Sequence, residues 1–214
     1  MDAFLSRFEI TGRRLWATYF GGNGDDHGLG LAVASDGDIV VFGYTSSVSG
    51  VATANGYQTT FGGGREDAFV ARFDEMGRRI FATYYGYSGD EVLHSAAVLT
   101  DGSVVVAGAT NSISGIASSG SHQVAYGGGI SDALLVRFTQ SGQRSWATYY
   151  GGSNTDCFYK LALLPGDGIV AAGYTDSPNA IATAGSHQTE FGGRYDSFIT
   201  CFTSIGGRLW GTYY

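Results

Sequence analysis

One segment recurs four times along this chain and constrains every other reading of it. Asp2, Asp67, Asp132 and Asp196 each open a version, DAFLSRF, DAFVARF, DALLVRF and DSFITCF, at intervals of 65, 65 and 64 residues. A glycine turn and an aromatic segment follow every time, as GRRLWATYF, GRRIFATYY, GQRSWATYY and GGRLWGTYY, so Trp16, Phe81, Trp146 and Trp210 share one position. Next come a Gly/Asp-rich loop, a segment of small residues, a D-G-type turn and an apolar run such as Ser103 to Thr110. A period of this kind marks a repeat architecture, in which each unit buries its apolar face against its neighbour.

Each period predicts four strands. DAFVARF and the stretch from Ile80 to Tyr85 favour strand over helix through their aromatic and β-branched residues, and no window carries a convincing helical period. Ile39 to Phe42, Val104 to Val106 and Ile169 to Ala172 are continuously apolar, as strands covered on both faces are. The segment before each is rich in small residues, Gly28, Gly30, Ala32 and Ala34 or Ala96 and Ala97, which suits a crowded innermost strand. These features predict an all-β fold of β-propeller blades, each of four antiparallel strands. One partial propeller follows, with a half blade over 2–20 and three complete blades over 21–85, 86–150 and 151–214. Fourteen strands do not complete a ring of such blades. The remaining blades of a longer chain, or a homo-oligomer, are the expected means of closing it.

The string DAFVARFDEMGRRIFATYYG, followed after Gly89 and Asp90 by an apolar strand, VVVAGATNS and SGSHQVAYGGG, resembles the bacterial β-propeller repeat family known as SBBP. The resemblance extends over essentially the whole chain. It implies propeller blades within large secreted or surface proteins of bacteria, often of Bacteroidetes type, and it supplies no activity. The expected setting is therefore extracellular or at the cell surface.

Glycine accounts for 35 of the 214 residues and proline for only 2, a balance that calls for many tight turns. A net charge of -7 argues against nucleic acid as a partner. No stretch is long and apolar enough for membrane insertion, and the N-terminus lacks the order of a signal peptide. Cys157 and Cys201 have neither C-x-x-C spacing nor a disulfide framework around them, so two buried or partly buried free thiols are expected.

Strand parity sends the tight turns to one end of each blade. The other end receives the Gly/Asp loops and three long connections, Thr45 to Glu66, Thr110 to Ser131 and Thr175 to Tyr195. Twelve carboxylates fall at that end against Arg65 and Arg194 alone, predicting an acidic face that attracts a cation, a basic peptide or a hydroxyl-rich glycan. The candidate ligand-binding residues on it are Asp25, Asp26, Tyr57, Asp90, Glu91, His122, Asp156 and His187. Against each stands a plainer role. Asp67 and its equivalents are expected to accept backbone N–H bonds from the preceding glycine loop, and the recurring tryptophans to pack blade on blade. The loops GGNGDD, GYSGDE and GGSNTD gather carboxylates as calcium prefers, but without alternating D-x-D-x-D-G ligands, so turns and strand-end caps are the expected use and no cofactor or metal is assigned. Gln58, Gln123 and Gln188, each following Tyr57, His122 or His187, could hydrogen-bond their own loops.

G-x-S-x-G, H-E-x-x-H and P-loop motifs are missing, so no catalytic residue is assigned. The leading expectation is a non-catalytic binding or scaffold module acting through its acidic long-loop face. Two alternatives stay open: a propeller enzyme with a channel-centred acidic or metal-assisted site, for which His27 beside Asp25 and Asp26 is the visible cluster, and a lectin with one shallow site per blade around Tyr57, His122 and His187.

Overall fold

The computed structural model describes residues 1–214, all in strands, turns and loops with no helix. Strands β1 (Ala3–Phe8) and β2 (Arg14–Phe20) form a two-stranded sheet. A first four-stranded sheet follows, from β3 (Asp26–Val33), β4 (Ile39–Thr45), β5 (Asp67–Phe73) and β6 (Arg79–Tyr85). The second takes β7 (Glu91–Val98), β8 (Val104–Thr110), β9 (Asp132–Phe138) and β10 (Arg144–Tyr150), and the third β11 (Asp156–Leu163), β12 (Ile169–Thr175), β13 (Asp196–Phe202) and β14 (Arg208–Tyr213). Neighbours in every sheet are antiparallel and consecutive in the chain. The sheets follow one another in chain order, with β3 against β7 and β7 against β11, and the series stays open rather than closing on itself.

Apolar side chains collect at three joints, one between each consecutive pair of sheets. The largest cluster holds Val40, Phe42, Val70 and Phe81 of the first complete sheet against Val104, Val106, Leu134 and Phe138 of the second. Second strands covered on both sides, such as β4 and β8, are accordingly buried along nearly their whole length.

An aromatic–glycine contact fixes each joint. The Trp16 ring lies over the turn glycine Gly77 of the next sheet, Phe81 over Gly142 and Trp146 over Gly206. A Cβ at these glycines would come within 3.0, 2.6 and 2.8 Å of the ring, and each has a positive φ, so no other residue fits both the space and the backbone. The indole N–H of Trp16 donates to the Glu75 carbonyl at 2.8 Å and that of Trp146 to the Ser204 carbonyl at 3.0 Å. Packing of sheet on sheet is thus what Trp16, Phe81 and Trp146 do.

The leading strand of each complete sheet has eight residues against seven in its partner. The register skips one residue in each, Leu29, His94 and Tyr159, forming a bulge at the same place every time.

The long connections do not stand free at the end of the sheets. Each turns down along the outermost strand and hydrogen-bonds its open edge. Thr53 N donates to the Ala82 carbonyl at 2.9 Å, Ala82 N returns to Thr53 Oγ1 at 2.9 Å, and Tyr84 N donates to the Gln58 carbonyl at 3.1 Å. Ser118 and Gln123 do the same for β10, and Thr183 and Gln188 for β14. The long connections leave the sheets at the end expected of them, but an unpaired outer edge invites association with other chains, and their course covers it.

Candidate functional site

Placing the predicted acidic face in three dimensions removes much of its charge. Asp26, Asp67, Glu91, Asp132 and Asp156 are fully buried. Asp26 accepts from Thr45 Oγ1 at 2.5 Å, Ser47 Oγ at 2.9 Å and Gly22 N at 2.8 Å. Glu91 accepts from Thr110 Oγ1 and Tyr87 N, and Asp156 from Ser177 Oγ and Gly152 N. Asp26, Glu91 and Asp156, read as surface ligands from the sequence, therefore cap the loops that carry them. Of their neighbours, Asp25 stays exposed and bound to the N-terminal amine, while Asp90 is mostly covered and paired with Arg65 at 2.8 Å.

Asp67, Asp132 and Asp196 cap a second set of glycines, accepting from Gly62, Gly127 and Gly192 N at 2.6 Å each. Burial pushes the carboxyls of Asp67 and Asp132 up to about 7, overcoming these hydrogen bonds, with the charges of Glu91 and Asp156 adding to the effect. One oxygen of each is buried with no hydrogen-bond partner. Gln58 and Gln123 complete the network. Their amide nitrogens donate to the capping carboxylate and to a loop carbonyl, while their oxygens accept from Gly86 and Gly151 N. The glutamines serve their own loops.

The residue before each glutamine turns outward at the rim. Tyr57 lies 6.2 Å from Tyr85, His122 5.9 Å from Tyr150 and His187 6.2 Å from Tyr214, ring centre to ring centre and at similar tilts. At the first two positions the following sheet adds an arginine: Arg144 sits over Tyr57 at 4.7 Å, and Arg208 lines the same wall as His122. Three residue types thus meet across each joint. Burial, with help from Arg208, holds His122 down at about 4, so the imidazole is neutral at ordinary pH.

Open grooves run along these joints. One of about 550 Å³ is lined by Tyr57, Thr59, Thr60, Phe61, Tyr87 and Ile116 among others. Its equivalent at the next joint, of about 460 Å³, is lined by His122, Tyr126, Ser153, Asn179 and Arg208 among others, and a further groove of about 520 Å³, with Ser119, Ser121, Ser145 and Trp146, lies on the other side of His122 and Arg208. Arg208 uses only Nη1 within the chain, on the Ala180 and Ile181 carbonyls. Hydroxyls, an aromatic edge, a neutral imidazole and a partly free guanidinium therefore face one channel. His187 lacks the following sheet, so its groove has a single wall.

The cluster of His27 with Asp25 and Asp26 does not converge. Asp26 points inward, while the His27 ring stacks on Tyr44 at 4.6 Å. Near the leading strands, the bulged His94 and Tyr159 instead lie 5.1 Å apart, with Lys160 close enough to join burial in depressing the imidazole. Sequence reading missed this pair; the one signal for it is the extra residue in each leading strand. It also missed Arg72, fully buried and bonded to Asp36, Asp38 and the Gly102 carbonyl at 2.9, 2.7 and 2.6 Å. No group of three or more His, Cys, Asp or Glu side chains is gathered as a metal ion would need, and both cysteines are buried and unpaired.

No protein-family profile matches the sequence, and no curated protein does. Among solved structures, the chain is similar to a protein of unknown function from Bacteroides caccae, at 10% identity and a TM-score of 0.32, over 95% of this chain and 87% of that one. So distant a likeness assigns no role to any residue.

Proposed function

We propose that this chain is a non-catalytic binding module built of β-propeller blades, which holds a hydroxyl-rich glycan in the grooves between consecutive sheets. The observation that carries the reading is the recurrence of one groove at two joints, lined by Tyr57, Gln58, Phe61 and Gly62 at the first and by His122, Gln123, Tyr126 and Gly127 at the second, with Arg144 over Tyr57 and Arg208 beside His122. Shallow channels with an aromatic wall and a few polar groups suit a ligand that is apolar on one face and hydroxylated at its edges. The chemistry of the acids points the same way: five of the twelve carboxylates at the long-loop end are buried, which leaves a cation or basic peptide fewer charges to find. Blade character is supported by the repeated four-stranded antiparallel sheet and its constant aromatic–glycine joint. The bacterial extracellular setting is carried by the likeness of DAFVARF and its sequel to the SBBP repeats.

Screening the protein on a glycan array, beside Tyr57→Ala and His122→Ala, tests the reading. Bound glycans whose signal falls on either substitution are expected. Silence across the array, or signals indifferent to both changes, refutes it.

A further inference from the structure

The two open ends of the series are the two halves of a joint that already occurs three times within it. Three turn glycines, Gly77, Gly142 and Gly206, each carry an aromatic ring from the preceding sheet; the fourth, Gly12, in the turn between β1 and β2, has a φ of +83° and nothing within 4 Å of the position a Cβ would take. Conversely, three of the four recurring aromatics are seated on a glycine, and Trp210 alone is not, leaving it 40% exposed.

The surfaces around this unmatched pair are complementary in the same way. Leu134, Phe138 and Tyr149 of the second sheet are buried under the first, and their equivalents Phe4, Phe8 and Tyr19 on the two-stranded sheet are 73, 56 and 80% exposed. On the opposite side, Val105 and Leu135 are buried under the third sheet, while their equivalents Val170 and Ile199 on that sheet are only half-buried. Exposed apolar side chains at matching positions on both ends of one molecule mark interaction surfaces.

We propose that two copies of this chain associate head to tail, with Trp210 of one seated on the Gly12 turn of the next and its indole N–H donated to the Ile10 carbonyl. Ile10 stands two residues before Gly12, as Glu75 stands before Gly77 and Ser204 before Gly206, and these are the carbonyls that take the two indole bonds inside the chain. The contact is heterologous, so each added copy presents a fresh end. Only two strands form the receiving face, against four at each internal joint of the complete sheets, so the joint is weaker than those and depends on concentration. It is independent of the glycan reading.

The experiment is absolute mass by light scattering after size exclusion, over a concentration series, for the full chain and two one-ended variants. Gly12→Asp places a charge where the indole would sit and keeps a residue tolerant of positive φ; Trp210→Glu removes the indole from an already exposed site. The unaltered chain is expected to grow in mass with concentration, and each variant alone to remain at 22.5 kDa. Mixed in equal amounts, the variants should form a complex of twice that mass and no larger, because the intact Trp210 of one meets the intact Gly12 turn of the other. Phe8→Arg, on the exposed receiving face, replaces Gly12→Asp if melting curves show that the latter is unfolded. A chain that stays monomeric throughout, a variant that still associates alone, or a mixture that forms no dimer overturns the proposal.

Discussion

A carboxylate beside a glycine loop does the same work in every repeat, and at this smallest scale the sequence was most readable. Asp67, Asp132 and Asp196 were expected to cap the preceding loop, and they do, since an acceptor at a strand start facing a run of glycine N–H groups has few other uses. What could not be read was burial. Asp26, Glu91 and Asp156 look like surface acids because they adjoin Asp25, Asp90 and Thr155, and only the fold shows that the second of each pair turns inward. The inward acids predict an unusual pH profile. With the folded carboxyls of Asp67 and Asp132 at about 7 against an unfolded value near 4, the native state binds the extra protons; that stability is fully present below about pH 4 and is lost as pH rises through 7. Urea midpoints should fall between about pH 5 and 8 and level off above, and Asp67→Asn with Asp132→Asn should flatten the fall. A midpoint that rises over that range contradicts this. Arg72 gives a second test. Its guanidinium is fully buried against Asp36 and Asp38, so Arg72→Ala should cost about 3 kcal/mol or more in urea unfolding, while removing the exposed Arg78 from Asp74 should cost less than about 1.

At the scale of elements, strand number and order were legible because a period of 65 residues repeats its own turns. The course of the long connections was not, since nothing in Thr45 to Glu66 distinguishes a loop that projects from one that lies along a strand. Tertiary hydrogen bonding decides it, through Thr53 and Gln58 on the edge of β6. Gln58→Ala removes bonds to Gly86, Thr60 and Asp67 together and should cost roughly 1–3 kcal/mol by leaving buried groups unsatisfied. Hydrogen exchange separates this from a general loss of stability: the Ala82 and Tyr84 amides should lose protection in the variant while those of β5 keep it. Equal loosening of both strands would mean that the connection does not guard the edge. The bulges at Leu29, His94 and Tyr159 escaped notice for a related reason, as one extra residue shows only once both partner strands have been bounded.

For the whole molecule, the repeat foretold a series of like sheets, and the structure adds how they are joined. An aromatic over a glycine recurs at all three joints and a groove at the rim at two, so a ligand site built at a joint comes in as many copies as there are complete joints of that kind. The first complete groove belongs to Tyr57 with Arg144 and the second to His122 with Arg208, whereas His187 has only one wall. Because His122 titrates at about 4, affinity at its groove should hold steady between about pH 5.5 and 8. Calorimetric titration with the strongest glycan from the array tests the central claim most directly. Two sites per chain are predicted, one abolished by Tyr57→Ala and the other by His122→Ala, with melting temperatures little changed. A single site, or a stoichiometry that neither substitution alters, would contradict it.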